Sequence, residues 1–202
     1  KYLQNQNFST NTDTEVLFKL FRKKGTNIVN ELEGIFSFVY INLKTEKIFM
    51  VRDFTGTKPL YYLFDNKNLF FSSEAWFLYS ISSKELDKKS VNFFLNFGFT
   101  EEEKTLIKNV NKVKPRYIYD FNLSNNSLNK KLYFDLSKSK SFTKPNPEDS
   151  KKLLDDTVKK NLITDTKIGT FLSGGVDSTT ISLVAKKYNE NIEAFTTCFL
   201  PK

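Results

Sequence analysis

The stretch that most constrains this chain lies near its C-terminal end, at residues 173–178, which read Ser-Gly-Gly-Val-Asp-Ser. Residues 167–172 before it predict a short buried strand, and apolar residues at 181, 184, 185 and 188 after it have the spacing of one helix face. A polar turn with paired glycines therefore joins a strand to a helix. Glycine permits positive φ and a close approach to bare backbone, and the first N–H groups of a helix have no partner inside it. The stretch thus predicts an anion site, with phosphate as the anion.

Asp177 is the acidic residue of this turn. A lone carboxylate would repel a phosphate, so its presence indicates a divalent cation beside the anion, and the hydroxyls of Ser173 and Ser178 add donors. The alternative is purely structural, because Ser, Gly and Asp are common turn residues and Asp177 or Ser178 could cap the helix without any ligand. The order of the residues favours the phosphate site. The stretch is not a Walker A loop, which needs G-x-x-x-x-G-K-[ST].

Composition excludes several classes of protein. The 202 residues include 39% hydrophobic residues and 21 Phe, which are enough for a folded core. No apolar run approaches a membrane span, and no signal peptide is visible. The absence of histidine excludes Ser-His-Asp and Cys-His sites and His-ligated zinc within the chain. The single cysteine, Cys198, excludes an internal disulfide and fits a reducing compartment, so we expect a cytoplasmic protein with Cys198 buried in the apolar run 194–200.

The net charge of +8 does not by itself indicate a nucleic-acid partner. The basic residues are nearly all lysines and are scattered among Asn, Asp and Glu rather than gathered in one stripe. We interpret them as solvated side chains and expect neither a nucleic-acid nor a membrane partner.

Residues 1–140 have the order of an antiparallel α+β domain. Thr12-Asp13-Thr14-Glu15 predicts a helix start and Gly25 its end, so that Asp13 is either the N-cap or a ligand contact at the helix mouth. Further helices are expected at 74–79 and 90–97, the second with Val91, Phe94 and Leu95 inward. Strands are expected at 35–41, 47–51, 60–64, 69–72, 116–122 and 128–134, with antiparallel neighbours because the connections are short.

Residues 141–202 have α/β order. Residues 137–146 lack apolar periodicity and predict a linker, and Asn146-Pro147-Glu148-Asp149 then predicts a helix start. That helix buries Leu154, Val158 and Leu162 and is followed by the strand, the anion turn, a second helix and a second strand. We place a domain boundary near residue 140. The polar segment that opens the chain at Lys1 is expected to be an interior cut of a longer protein.

Two groups of residues together carry a family resemblance. The string at 173–178 resembles the SGG-[LIV]-DS loop of the ATP pyrophosphatases, which cleave ATP between its α and β phosphates. It is preceded by Asp13-Thr14-Glu15, by Leu-Glu-Gly-Ile-Phe-Ser-Phe at 32–38, by Val-Arg-Asp at 51–53 with Gly56 and Lys-Pro-Leu-Tyr at 58–61, and by Ser-Ser-Glu at 72–74. Across nearly its whole length the chain resembles glutamine-hydrolysing asparagine synthetase.

The resemblance implies a fold and a reaction. The fold would be an antiparallel α+β Ntn-hydrolase-like sandwich at 1–140, incomplete at its N-terminus, followed at 141–202 by the start of an α/β PP-loop domain of the adenine nucleotide alpha hydrolase-like type. The full-length enzyme would be a carbon–nitrogen ligase that uses ATP and Mg²⁺. It would adenylate the side-chain carboxylate of aspartate, or of another acceptor, and transfer ammonia freed from glutamine. A homodimer is among the assemblies that the resemblance allows.

Residue roles follow by position. Asp13 would hold the α-amino group of glutamine, and Asp177 would contact Mg²⁺. The ammonia passage would be lined by Ile35, Thr57 and Phe171, although Thr57 is less apolar than that lining usually is. ATP and pyrophosphate would be bound by Phe171, Ser173, Gly174, Gly175, Val176, Asp177, Ser178 and Thr197. Arg52, Asp53 and Glu74 also match the family pattern, and we interpret them as architectural rather than chemical.

The resemblance implies no catalytic residue within this chain. Glutamine hydrolysis in the family needs a cysteine at the mature N-terminus, whose own amine can act as the base. Cys198 lies in the other part of the chain and cannot replace it, so we expect the 202 residues alone to turn over neither half reaction.

Three alternatives stay open at this point. A tRNA-modifying PP-loop enzyme would suit the positive charge. A family member could instead act on a sugar acid or a β-lactam precursor. A catalytically silent binding module would use the turn without chemistry.

Overall fold

The computed structural model describes residues 7–65, 68–138 and 146–198. The chain divides into two compact units, Lys1–Ser139 and Lys140–Lys202. Most of the predicted linker at 137–146 lies outside the described residues, as do the middle of the turn at 65–68 and the end of the run at 194–200. Within the described ranges, no helix is both long enough and apolar enough to cross a bilayer.

The first unit contains three α-helices, two 3-10 helices and seven strands among its described residues. The helices are α1 (Asp13–Lys24), α2 (Ala75–Ile81) and α3 (Lys88–Phe97), with 3-10 turns at Gly25–Glu31 and Leu136–Lys138. The strands are β1 (Ser37–Asn42), β2 (Lys47–Arg52), β3 (Tyr61–Asp65), β4 (Asn68–Ser72), β5 (Val110–Lys112), β6 (Tyr117–Asn122) and β7 (Ser127–Leu132).

These strands form two antiparallel sheets. One sheet has the order β1-β2-β6-β7 and the other the order β4-β3-β5. The short turns at 42–47 and 65–68 close antiparallel hairpins, so the predicted antiparallel α+β arrangement is confirmed. The longer loop at 53–60 instead carries the chain from one sheet to the other, and β2 and β3 do not pair.

Alternating side chains place three apolar clusters across the first unit. Met50 of β2 and Tyr119 of β6 pack with Tyr62 of β3 between the two sheets. On the other face of the same strands, Val51 packs with Phe21 of α1. Leu78 of α2 packs on the outer face of the second sheet. The layers are therefore helix, sheet, sheet and helix, each sheet being covered on one face by a helix and on the other by its partner sheet.

One prediction for α3 is wrong. Leu95 was expected to face inward, but 76% of its surface is exposed and Phe94 is also exposed, whereas Ser90 is buried. The helix presents its first turn rather than its apolar stripe to the rest of the unit. Asp87 caps it by accepting a hydrogen bond from the Ser90 N–H group at 2.9 Å, and this holds the buried end in place.

The second unit alternates helix and strand. It contains α4 (Pro147–Asn161), β8 (Gly169–Phe171), α5 (Val176–Tyr188) and β9 (Glu193–Phe195). Asn146 caps α4 through its side chain, as predicted. Strands β8 and β9 pair in parallel, with α5 as the connection between them. The Ser182 hydroxyl donates to the Thr170 hydroxyl at 3.0 Å and ties α5 to the middle of β8.

Two burial predictions for this unit are wrong. The strand before the turn was expected to be buried, but Phe171 is 87% exposed. Side chains alternate between the two faces of a strand. Thr170 faces α5, so its neighbours Gly169 and Phe171 lie on the opposite face, which α5 does not cover. Cys198 was expected to be a buried structural residue and is exposed, since β9 ends at Phe195 and the cysteine lies beyond the paired region.

Candidate functional site

Asp13 is the first residue of α1 and does not cap it. The cap is Thr12, whose hydroxyl accepts a hydrogen bond from the Glu15 N–H group at 3.4 Å, so the structural explanation for Asp13 is wrong. Asp13 is exposed. Its carboxylate lies at the positive end of the helix dipole without being needed to close the helix.

Glu15 is fully engaged by the segment that enters α1. It forms an ion pair with Lys19 at 2.9 Å and accepts hydrogen bonds from the N–H groups of Ser9 at 3.0 Å and Thr10 at 2.7 Å. The Lys19 ammonium, followed by these N–H groups, lowers the pKa of Glu15 to about 2. Glu15 therefore holds the segment at Ser9 and Thr10 against the start of α1. Asp13 is the other carboxylate at this end of the helix, and it does not take part in these bonds.

A cavity of about 480 Å³ opens beside the start of α1. Its walls are mostly apolar side chains of α1 and of the segment leading into β1, and its charged lining residues are Asp13, Glu33 and Lys58. Small-molecule sites commonly combine apolar walls with a few polar groups in a volume of this order. Ile35 lines the same cavity, so the structure brings two predicted site residues together there. Thr57 is not among the lining residues.

The loop at 53–58 is built around the carboxylate of Asp53, which is only 1% exposed. Its oxygens accept hydrogen bonds from the N–H groups of Thr55 at 3.1 Å, Thr57 at 3.0 Å and Lys58 at 3.1 Å, and from the Thr55 hydroxyl at 3.0 Å. Burial raises the pKa of Asp53, but these donors lower it by more, so the carboxyl stays charged.

Arg52 closes the same loop from outside. Its guanidinium donates to the carbonyl oxygens of Lys58 at 2.8 Å, Val113 at 3.0 Å and Gly56. Gly56 has φ +70°, and a Cβ there would lie 2.6 Å from the Pro115 ring. The architectural interpretation of Arg52 and Asp53 is confirmed, with hydrogen bonds to the loop rather than an ion pair between the two residues.

Thr57 has its hydroxyl turned into this loop. The hydroxyl oxygens of Thr55 and Thr57 lie 2.8 Å apart. Because Thr55 gives its only hydroxyl proton to Asp53, Thr57 must be the donor between them. Thr57 therefore has no hydroxyl proton left for another acceptor.

The turn at 173–178 joins β8 to α5 as predicted. Gly174 has φ +81°, in the left-handed region that glycine adopts readily. The cap of α5 is Gly175, which provides no side-chain cap. The alternative in which Asp177 or Ser178 caps the helix is therefore wrong. The first-turn N–H groups of α5 therefore point toward the turn, and no capping side chain accepts a hydrogen bond from them.

The two serines of the turn bond to each other. Their hydroxyl oxygens lie 2.9 Å apart, and the Ser173 N–H group donates to the Ser178 oxygen at 3.3 Å. Ser178 donates its proton to the Gly175 carbonyl at 3.1 Å, so Ser173 is the donor in the hydroxyl pair. These bonds set the shape of the turn from within.

Asp177 lies exposed in the first turn of α5. In the part of the chain that the structure describes, no group of three or more Cys, Asp and Glu side chains could hold a metal ion. Asp177 would thus supply a single protein oxygen. That is compatible with Mg²⁺, which often takes one or two carboxylates and completes its shell with water and substrate phosphates.

A second cavity, of about 280 Å³, lies at the carboxyl ends of β8 and β9. It is lined by Phe171, Ser173 and Thr197 together with Leu172, Phe195 and Thr196, so three predicted nucleotide-binding residues meet there. The ends of parallel strands are where open α/β sheets bind ligands. The other three lining residues were not predicted. The sequence signal for them is their place at or directly after the carboxyl ends of two parallel strands.

Two family models match separate parts of the chain. The family model described as "Glutamine amidotransferase domain" matches residues 1–134, and the one described as "Asparagine synthase" matches residues 149–202. Among solved structures, the glutamine phosphoribosylpyrophosphate amidotransferase of Bacillus subtilis, complexed with ADP and GMP, aligns with 96% of this chain and 40% of its own. The identity is 16% and the TM-score is 0.43.

Two curated relatives are named as glutamine-hydrolysing asparagine synthetases. A putative asparagine synthetase [glutamine-hydrolyzing] 2 of Methanocaldococcus jannaschii is 35% identical over 90% of this chain and 36% of its own length. Asparagine synthetase [glutamine-hydrolyzing] 1 of Bacillus subtilis is 32% identical over 95% of this chain and 31% of its own length. The chain spans about a third of the length of these relatives. With an amidotransferase match over most of its length and a synthase match in series, the chain belongs to the glutamine-hydrolysing asparagine synthetase family.

Proposed function

We propose that this chain is part of a ligase that makes asparagine from aspartate, ATP and glutamine. The observation that carries the proposal is the order of two elements in one chain. An antiparallel unit that matches an amidotransferase domain precedes a strand–turn–helix whose turn reads Ser-Gly-Gly-Val-Asp-Ser and which lies within the asparagine synthase match. Such an enzyme needs a site that frees ammonia and a site that activates a carboxylate.

In the first unit, we assign glutamine to the cavity of about 480 Å³ beside α1. The Asp13 carboxylate would pair with the ammonium group of glutamine, and its exposure at the cavity wall leaves it accessible. Lys58 and Glu33 add charges of both signs to a mostly apolar lining, which suits a zwitterionic amino acid. The unit belongs in our proposal to the Ntn-type hydrolases, in which a terminal cysteine supplies both nucleophile and base.

In the second unit, we assign pyrophosphate to the turn at 173–178 and the adenosine part of ATP to the cavity lined by Phe171 and Thr197. A carboxylate oxygen of aspartate attacks the α-phosphorus, and the bond from that phosphorus to the β-bridging oxygen breaks. The leaving pyrophosphate takes the electron pair, and the N–H groups at the start of α5 would stabilise its charge. Removing one preorganised donor of this kind raises a barrier by roughly 3 kcal/mol.

Asp177 is the residue that we assign to Mg²⁺, which when bound would neutralise charge on the phosphates. Its carboxylate is exposed and its neighbours in the turn carry no charge, so it would orient the ion rather than enclose it.

Ammonia would then displace AMP from the activated carboxylate. We assign Ile35 and Thr57 to the lining of its passage within the first unit, and Phe171 to the lining within the second unit. The internal bonding of the Thr57 hydroxyl supports this assignment, because it removes a donor that would otherwise hold the ammonia lone pair.

The test uses the full-length protein and aspartate labelled with ¹⁸O in its side-chain carboxylate. Adenylation followed by attack of ammonia transfers one labelled oxygen to AMP, so we expect labelled AMP, pyrophosphate and asparagine in equal amounts. Unlabelled AMP, or pyrophosphate release that needs a sugar acid or a tRNA instead of aspartate, would contradict the proposal.

Two variants separate the half reactions. Asp13→Asn should abolish most glutamine-dependent synthesis while leaving ammonia-dependent synthesis intact. Asp177→Asn should reduce both. Asp156→Asn, an exposed carboxylate on α4, is the matched control and should change neither.

A further inference from the structure

A further cavity in the first unit, of about 590 Å³, contains none of the residues assigned to the proposed reaction. It lies between the second half of α1 and the hairpin of β1 and β2. No residue that lines it also lines the cavity beside Asp13. Its volume is in the range of small-molecule sites, which is roughly 300–1,000 Å³.

The floor of this cavity is aromatic. Phe21 and Tyr40 have ring centroids 4.3 Å apart, and Phe49 lies 5.5 Å from Phe21. Phe18 stands at the edge with its ring 6.0 Å from that of Tyr40, and 47% of its surface is exposed. Phe21 is itself buried, so the accessible part of the floor is Phe18 with the half-buried Tyr40 and Phe49, which offer aromatic surface to a planar apolar group.

The rim of the cavity is cationic. Arg22, Lys44 and Lys47 line it, and no Asp or Glu is among its lining residues. Lys47 is neutralised by an ion pair with Asp120 at 2.9 Å. Arg22 and Lys44 form no ion pair with any residue of the described ranges, although the Arg22 guanidinium lies 5.8 Å from the centroid of the Phe18 ring. The rim therefore carries two positive charges without a carboxylate partner. Asn42 uses its side-chain oxygen to close the hairpin turn, accepting from the Lys44 N–H group at 3.1 Å, which holds Lys44 at the rim.

We propose that this cavity binds a small aromatic anion, with its ring on the Phe18–Tyr40 side of the floor and its carboxylate or phosphate between Arg22 and Lys44. The aromatic floor selects a flat apolar body, and the unmatched cations select the negative charge. A neutral ring would leave both cations without a counter-ion, and an aliphatic anion would leave the aromatic surface uncovered.

The experiment uses two probes that differ only in charge, indole-3-acetate and its neutral isostere indole-3-acetamide, titrated calorimetrically into the full-length protein. We expect indole-3-acetate to bind about tenfold more tightly, because charge-assisted hydrogen bonds to Arg and Lys are the strong ones. The double variant Arg22→Gln with Lys44→Gln should bring the two affinities together by weakening the acetate alone. Phe18→Ala should weaken both probes.

The matched control is the double variant Lys131→Gln with Lys151→Gln, which removes two exposed lysines outside the cavity and should leave the tenfold preference unchanged. Folding of every variant is checked by circular dichroism. Equal affinity for the two probes, absence of binding at millimolar concentration, or loss of the preference in the control variant would each overturn the proposal.

Discussion

The phenol of Tyr119, fully buried between the two sheets, donates a hydrogen bond to the carboxylate of Glu103. Burial and the neighbouring carboxylate both raise the pKa of Tyr119, so its hydroxyl keeps its proton. Lys130 donates to the same carboxylate at 2.7 Å, and the Lys114 N–H group donates to the phenol oxygen at 3.3 Å. Through this network of bonds Glu103 connects the loop before β5 to Tyr119 of β6 and Lys130 of β7.

Tyr119→Phe should therefore destabilise the protein by about 1–2 kcal/mol, since it leaves a half-buried carboxylate with one partner fewer. Tyr62→Phe is the control. Tyr62 is also buried and its ring packs edge-on against Tyr119, but its hydroxyl has no hydrogen-bond partner among the described residues. Urea unfolding of both variants measures the difference, and an equal loss from the two would contradict the role of the Glu103 bond.

The same network predicts a pH dependence. Burial raises the pKa of Glu103, but the bonds from Lys130 and Tyr119 lower it by more, so its pKa in the folded protein is below the ordinary value. A carboxyl of this kind stabilises the fold above its unfolded pKa and loses that contribution as the pH falls through its folded pKa. Stability should decline below about pH 4, and Glu103→Gln should flatten that decline. Unfolding midpoints measured at several pH values between neutral and acid check the slope.

Asp53→Asn should cost about 2–4 kcal/mol of stability. The four donors around Asp53 need acceptor oxygens, and an amide offers one oxygen and adds two N–H donors of its own. Asp65→Asn, at an exposed carboxylate in β3, is the control and should change stability by less than about 0.5 kcal/mol. Chemical denaturation of the pair is the measurement, and a mild effect at Asp53 would contradict the account of the loop.

Gly56→Ala and Gly98→Ala separate crowding from backbone strain. Both glycines have positive φ, +70° and +78°, so conformational strain should lower the stability of each alanine variant by about 1 kcal/mol. Only at Gly56 would the new methyl lie 2.6 Å from Pro115, whereas nothing lies within 4 Å at Gly98. We expect a total loss of about 3 kcal/mol at Gly56. Similar melting temperatures for the two variants would show that Pro115 moves to make room for the added methyl, and would contradict the predicted crowding at Gly56.

Ser178→Ala should slow formation of pyrophosphate in the full-length enzyme by about a hundredfold, because the hydroxyl shapes the donor-lined turn. Thr180→Val is the control. Its hydroxyl bonds only to the Val176 carbonyl, at 2.7 Å and within the same helix. The two variants are compared by the rate of exchange between labelled pyrophosphate and ATP. Equal rates would contradict a role for the Ser178 hydroxyl in pyrophosphate binding.

Local sequence signals predicted the parts of the fold that depend on local chemistry. Gly25 ends α1, Asn146 starts α4, and the short turns close their hairpins, because each depends on residues adjacent in the chain. Strand β5 and the 3-10 turn at Gly25–Glu31 were missed. Strand β5 has only three residues, which are too few to show the alternation of apolar and polar residues that identifies a strand in a sequence. It forms because it pairs with β3, which is distant in the chain.

Burial was predicted less well than the elements themselves. Leu95, Phe171 and Cys198 are apolar by type, yet each is exposed, since apolarity does not say which face of an element another element covers. At the candidate site the sequence predicted the turn between β8 and α5, which the structure contains, and it assigned to Asp13 a role that stays a prediction. It could not show that Gly175 rather than a side chain caps α5, because that depends on backbone angles.

If the turn binds pyrophosphate as we propose, the paired hydroxyls of Ser173 and Ser178 would influence which anions it prefers. Their protons already have acceptors inside the protein, so a visiting ion must break an internal bond before it gains either hydroxyl. A singly charged ion such as chloride recovers little in that exchange. A pyrophosphate group carries more charge and would recover more, so we expect the turn to prefer polyphosphates to singly charged anions.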